Sequence, residues 1–225
     1  MKYVILLSGG LDSSIVLGLI RSKVKAEDVY ALSINYNQRH IKELISAKNI
    51  AKFYNINYKV MNLDLSEFGG SALTSSNIEV PIDRSLNDIS KNIPITYVPG
   101  RNTIFISLGL AYAETVNADF VALGVNSIDY SGYPDCRPEY INEFDKLSIL
   151  SNKRGVEGNP IKLYTPVINM TKSDIIKLGV ELKVPYELTW TCYNGREKAC
   201  GTCDSCKFRL EGFKENGLKD PIQYE

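Results

Sequence analysis

Residues 3–14 read YVILLSGGLDSS, an apolar run followed at once by two glycines, an aspartate and three serines. Residues 3–7 have the continuous apolar character of a short strand buried on both faces, and SIVLGLIRS, residues 14–22, repeats apolar residues at helical spacing. Between them, Gly9 and Gly10 let the chain turn sharply and approach an anion. The helix that follows offers unpaired N–H groups and a partial positive charge. A strand, a glycine turn and a helix in that order form the usual phosphate site of a doubly wound sheet. Ser8, Ser13 and Ser14 add hydroxyls, and Leu11 completes the turn. Asp12 is the odd member, because a carboxylate beside phosphates is repelled unless a cation such as Mg²⁺ lies between. The loop has neither GxxxxGK[ST] nor GxGxxG, so it lacks the lysine of the commonest phosphate loop.

The same alternation continues outward from this turn. Residues 29–36, 58–65, 119–125 and 161–168 read as strands. Residues 40–55, 103–116, 138–152 and 171–182 read as helices. The first of these helices is expected to turn Ile41, Leu44, Ile45, Ile50 and Phe53 inward. Pro138 suits a first helical turn, and Thr171 or Ser173 suits an N-cap. Strands separated by crossover helices mean an α/β fold with a doubly wound, mostly parallel sheet. The expected division is an α/β domain over residues 1–187 with a metal-binding segment over 188–225 packed on it. Residues 66–94 show weak periodicity and read as a long loop or lid.

Acidic and basic side chains balance at 26 each, so no overall field draws the chain onto a polyanion, and direct nucleic-acid binding gains no support. No stretch approaches the roughly 18 consecutive apolar residues of a membrane span. The opening apolar run leads into a glycine turn where a signal peptide would have a cleavage site. The expectation is a soluble, cytoplasmic protein. There, five cysteines point to a metal or to catalysis before disulfides.

Cys192, Cys200, Cys203 and Cys206 stand at C-x₇-C-x₂-C-x₂-C. Two-residue spacers let neighbouring sulfurs converge on one ion, and four thiolates satisfy tetrahedral Zn²⁺ with no open position. An iron–sulfur cluster and disulfides are the competing uses of such thiols. Cys136 stands apart, as a small buried hydrophobe or a pocket-lining thiol.

The loop resembles the SGGxDS loop of the ATP pyrophosphatase superfamily. In that group an oxygen of the substrate attacks the α-phosphorus of ATP and the loop holds the departing phosphates. YNQRHIKEL (36–44), YVPGRN (97–102), DYSGYPDCRPEYI (129–141), TPVINMTKSDIIKLG (165–179) and CYNGREKACGTCDSCKFRLEGF (192–213) follow in order. With these segments the chain resembles the 7-cyano-7-deazaguanine synthase family of the queuosine pathway over nearly its whole length. The resemblance implies an adenine nucleotide alpha hydrolase-like fold, a structural zinc, Mg²⁺ and a homodimer. It also implies conversion of 7-carboxy-7-deazaguanine, ammonia and ATP to the nitrile through an amide. Whether each activation releases AMP or ADP stays open, although the missing lysine favours attack at the α-phosphorus.

On that reading residues 8–14, with Arg101 and Asn102, hold the nucleotide. Arg39, Asp129, Tyr130, Tyr133, Asp135 and Arg137 face the substrate: the tyrosines stack on the deazapurine, a carboxylate accepts its N–H groups, and Arg137 pairs with its carboxylate. Asp12, His40, Lys162 and Lys172 are the candidates for catalysis, the lysines as cations near strand ends where phosphate charge develops. A tRNA-thiolating enzyme and a zinc-dependent nucleotide-sensing module are the competing functions. The first would want an RNA-binding face and a reactive cysteine near the loop, neither of which is evident.

Overall fold

Residues Tyr3–Leu6 form β1, the central strand, with Val4 and Ile5 completely buried on its two opposite faces. In the computed structural model, which describes residues 1–89, 92–128, 132–194 and 196–225 (of Asn87, the backbone alone), five parallel strands lie in the order β3-β2-β1-β4-β5. The others are β2, Val29–Asn35; β3, Asn57–Asn62; β4, Phe120–Ala122; and β5, Lys162–Tyr164. Asp129 and Tyr130 lie outside the described residues.

Helices α1, Leu11–Arg21, and α2, Lys42–Phe53, cross one face of the sheet on the way to β2 and β3. A short turn, α3, Leu86–Ile89, then leads to α4, Arg101–Thr115. With α5, Pro138–Ser151, and the turn α6, Lys153–Val156, α4 covers the opposite face. Helices α7, Lys172–Glu181, and α8, Asp204–Glu215, return to the first face, where Ile176 and Phe213 share a core with Ile5 and Ile15. The connections change face between β3 and β4, and the strand order reverses there. The carboxyl ends of β1 and β4 therefore splay apart into a crevice.

Two expectations need correction. Ile41, Ile45 and Phe53 are 63%, 53% and 56% exposed, while α2 packs through Ala47, Ile50 and Ala51. The alanines let the helix backbone approach the sheet and the glycine loop closely, which turns the larger side chains outward. The long loop expected over residues 66–94 is found, but its described residues are tied down rather than hanging as a lid. Ile82 bridges Cys203, Arg84 pairs bidentately with Asp204, and Ala72 and Val80 share a small core with Trp190 and three of the clustered cysteines. This strap has no periodicity of its own because distant segments satisfy its backbone: Arg39 donates to the carbonyls of Ser75 and Ile78, each at 2.9 Å. Among the described residues no helix is long and apolar enough to cross a membrane.

Candidate active site

The glycine loop is wedged between its neighbours. Gly9 has φ +84°, and a Cβ there would lie 2.1 Å from the Glu43 carbonyl oxygen, so the first turn of α2 presses directly on the loop. On the other side, a Cβ at Gly124, just past β4, would lie 2.5 Å from the Ser13 nitrogen. Gly10 caps α1 with extended backbone and no side chain closes the helix end, which leaves donors for a ligand. The Ser8 and Ser13 hydroxyls are 3.0 Å apart, and the Gly10 N–H donates to Ser8 Oγ at 3.1 Å. Ser14 turns away and donates to the Gly10 carbonyl at 2.6 Å.

The lysine absent from the loop arrives from α7. Lys172 Nζ donates to the two carboxylate oxygens of Asp12 at 2.6 and 2.8 Å. Lys172 is buried, and its helix start is fixed by a capping box in which Thr171 and Asp174 satisfy each other's backbone N–H groups. Asp12 thus has a cation partner within the protein, where the sequence argument invoked only Mg²⁺.

The loop and Asp12 open into a cavity of about 220 Å³ at the carboxyl ends of β1, β2 and β4, with Leu6, Leu32 and Leu123 in its lining; Lys172 is not among the lining residues and reaches the site through Asp12. Arg101 enters at the start of α4, donates to the Tyr36 hydroxyl at 3.3 Å and lies 5.7 Å from that ring. Burial opposes its charge, but Tyr36, Tyr133 and Asp135 outweigh that and hold the guanidinium above its usual range. Asn102 lines the cavity beside it and donates to Cys136 Sγ at 3.3 Å. Burial pushes the Cys136 thiol up to about 12, so it sits there as a neutral group. Tyr133 also lines the cavity, with its hydroxyl 2.9 Å from Thr96 Oγ1.

His40 is 2% exposed and lines the same cavity. Among the described residues neither ring nitrogen has a hydrogen-bond partner; Nδ1 is 3.9 Å from Glu43 Oε2. Burial pushes the Glu43 carboxyl up, with His40 and Arg101 opposing. Glu43 was missed in the sequence, although its i+3 spacing from the single histidine, on a helix start, was the available signal. Gln38 and Tyr36, from the same turn, also line the cavity and drew no attention as isolated residues.

Other sequence candidates stand elsewhere. Lys162 is exposed at the first residue of β5, on the edge of the sheet opposite the loop. Arg39 is spent on the strap carbonyls. Asp135 is buried and accepts the Asn102 N–H at 3.1 Å, which makes it a support for the start of α4. Arg137 is exposed at the start of α5 and is not among the cavity-lining side chains.

The ligand atoms of Cys192, Cys200, Cys203 and Cys206 all lie within 4.8 Å of one another. A tetrahedron of Zn–S bonds sets sulfurs about 3.8 Å apart, so the four need only a small contraction to hold one ion. The N–H groups of Asn194 and Cys200 donate to Cys192 Sγ, each at 3.4 Å, and the Cys203 N–H donates to Cys200 Sγ at 3.3 Å. Such donors stabilise thiolates, the form that binds metal. Thr191, Tyr193 and Ser205 from this segment reach the cavity wall, so the cluster braces one side of it.

Comparison with known proteins places the chain in a family. The chain is 54% identical over 225 residues to the 7-cyano-7-deazaguanine synthase of Nostoc punctiforme, covering all of both chains. It is 52% identical over 223 residues to the synthase of Thermoplasma volcanium, covering 99% of this chain and 90% of that one. Among solved structures, NMN synthetase from Francisella tularensis shares the fold at a TM-score of 0.50 and 16% identity, over 97% of this chain and 78% of that one. A family model described as queuosine biosynthesis protein QueC matches residues 2–217, and the chain belongs to that family.

Proposed function

We propose that the chain is an ATP-dependent carbon–nitrogen ligase that converts 7-carboxy-7-deazaguanine and ammonia to 7-cyano-7-deazaguanine, for queuosine biosynthesis. The observation that carries this reading is the meeting, in one cavity, of an uncapped helix start, the Asp12 carboxylate that Lys172 holds, and the partly buried Arg101. The helix start suits a polyphosphate, Lys172 fixes the Asp12 carboxylate beside it, and Arg101 is a cation matched to a carboxylate.

A carboxylate oxygen attacks the α-phosphorus of ATP, and pyrophosphate leaves against the N–H groups of α1. The nitrogen of ammonia then bonds to the acyl carbon as the carbon–oxygen bond breaks, which gives the amide and AMP. The amide oxygen is activated in the same way, and loss of AMP with the remaining N–H protons leaves the nitrile. Dehydrating an amide in water is uphill, so its oxygen must first become a phosphate ester. Carboxylate and amide are nearly isosteric, so one site serves both activations.

Ser8, Gly10, Leu11, Asp12 and Ser13, with Arg101 and Asn102, are the proposed nucleotide contacts, and Tyr133 is a stacking surface for the base. Mg²⁺ is assigned to the nucleotide phosphates. The four cysteines are assigned to one Zn²⁺, because a single tetrahedral ion suits sulfurs this close together and a four-iron cube would spread them wider. With no open position on it, this zinc folds residues 188–225 onto the α/β body of residues 1–187. The homodimer and the cytoplasmic setting belong to the same proposal. Purified metal-replete protein given ATP, 7-carboxy-7-deazaguanine and nitrogen-15 ammonium should yield the nitrile carrying the heavy nitrogen by mass spectrometry; absence of turnover would overturn the reading.

A further inference from the structure

Among the described residues the cavity has two acidic side chains in its lining, Asp12 and Glu43. Asp12 is bound by Lys172 at 2.6 and 2.8 Å. Glu43 meets no lysine or arginine at ion-pair distance among the described residues; its neighbour is His40, at 3.9 Å. His40 is in turn 2% exposed with two unpartnered ring nitrogens. A buried imidazole without partners is costly unless a ligand completes it. The backbone of Glu43 presses on Gly9, so the start of α2 sets this pair beside the phosphate loop, in the wall of the same cavity.

We infer that His40 and Glu43 form the subsite for the nitrogen co-substrate, binding ammonium and taking its proton. The inference rests on the ligase reading above. Glu43 supplies a carboxyl that, among the described residues, has no lysine or arginine at ion-pair distance and can pair with a small cation. His40 supplies a ring nitrogen as acceptor, and Arg101, on the ring of Tyr36, is the cation for the substrate carboxylate. One proton passes from ammonium to the pair. The nitrogen lone pair then forms the new carbon–nitrogen bond, and the carbon–oxygen bond breaks with its electrons going to the phosphate oxygen. A second proton leaves the adduct nitrogen, so amide, AMP and two protons balance the step. Dehydration of the amide takes no ammonium, and this separates the subsite from the rest of the machinery.

The test compares Glu43→Gln and His40→Asn with the parent protein on two substrates, the carboxylate with ammonium and the preformed amide with none. The expected result is a rise of about tenfold or more in KM for ammonium at an unchanged KM for ATP. The ratio of amide-consuming to carboxylate-consuming rate should rise by a similar factor. Equal loss on the two substrates, or an unchanged KM for ammonium, would overturn the subsite. A variant that consumes the amide is folded, so misfolding cannot imitate the expected result. A parent protein that converts neither substrate would instead overturn the ligase reading itself.

Discussion

Lys172 and Asp12 stand 160 residues apart in the chain and meet side by side, with the ammonium 2.6 and 2.8 Å from the two carboxylate oxygens. The phosphate loop that opens the chain has no lysine; the fold brings one to it from the start of α7. The pair links α1, the first crossover helix, to α7, which follows the last strand of the sheet.

Removing Lys172 takes from the Asp12 carboxylate the ammonium that holds it, and removing the Asp12 charge breaks the same pair. Lys172→Ala should lower kcat/KM for ATP by roughly a hundredfold or more. Asp12→Asn should cost a similar factor. Lys162→Ala, on the opposite edge of the sheet, should stay within about twofold of the parent protein. Steady-state kinetics on the three variants checks this, and equal losses for Lys162→Ala and Lys172→Ala would contradict the assignment.

Gly9→Ala places a methyl group 2.1 Å from the Glu43 carbonyl at a φ of +84°. The clash is with backbone, so it cannot be relieved by a rotamer change. Thermal melting should show a loss of about 2–4 kcal/mol together with loss of activity. Gly124→Ala, against the Ser13 nitrogen, should lose activity too, since its methyl group displaces the same loop from the other side.

The extent to which this was legible in the sequence follows from what each residue contacts. The loop, the alternating elements and the cysteine spacing are local patterns, and the parallel sheet and the cluster follow from them. The outward faces of Ile41, Ile45 and Phe53 were not legible, because Ala47 and Ala51 set how α2 packs. The partner of Asp12 was not legible either. Lys172 and Lys162 are equivalent in composition, and only the topology places one at the loop and the other at the far edge. The strap over residues 66–94 carries no pattern because its backbone bonds run to Arg39, Thr202 and Lys207.

Trp190 is the chain's one tryptophan, buried in the cluster core with its indole N–H donating to the Cys192 carbonyl at 3.2 Å. Metal analysis should find about one zinc per chain. Stripping the metal with a chelator should shift the Trp190 emission to the red, lower the melting temperature and release the strap that bridges Cys203 through Ile82. Iron in place of zinc, or an unchanged emission after complete metal removal, would contradict the structural role.

Cys136 keeps its proton to about 12 in the folded chain, against 9.0 for an ordinary thiol. At about pH 8 its thiolate fraction is lower by roughly a thousandfold, so peptide mapping should find it unmodified by iodoacetamide until the protein unfolds. Between these two pKa values the unfolded thiol has released its proton and the folded one has not. This group's contribution to stability is therefore complete below about pH 9 and falls as pH rises toward 12. Rapid alkylation of Cys136 in native protein would show that it is a reactive thiolate.

The central claim is that one site turns two substrate oxygens, in succession, into phosphate esters at the α-phosphorus of ATP. It is tested most directly by supplying 7-carboxy-7-deazaguanine with both carboxylate oxygens labelled with oxygen-18 and following the label by mass spectrometry. The account predicts two AMP molecules per nitrile, each carrying one heavy oxygen, and unlabelled pyrophosphate. Label appearing in inorganic phosphate or in water would contradict it.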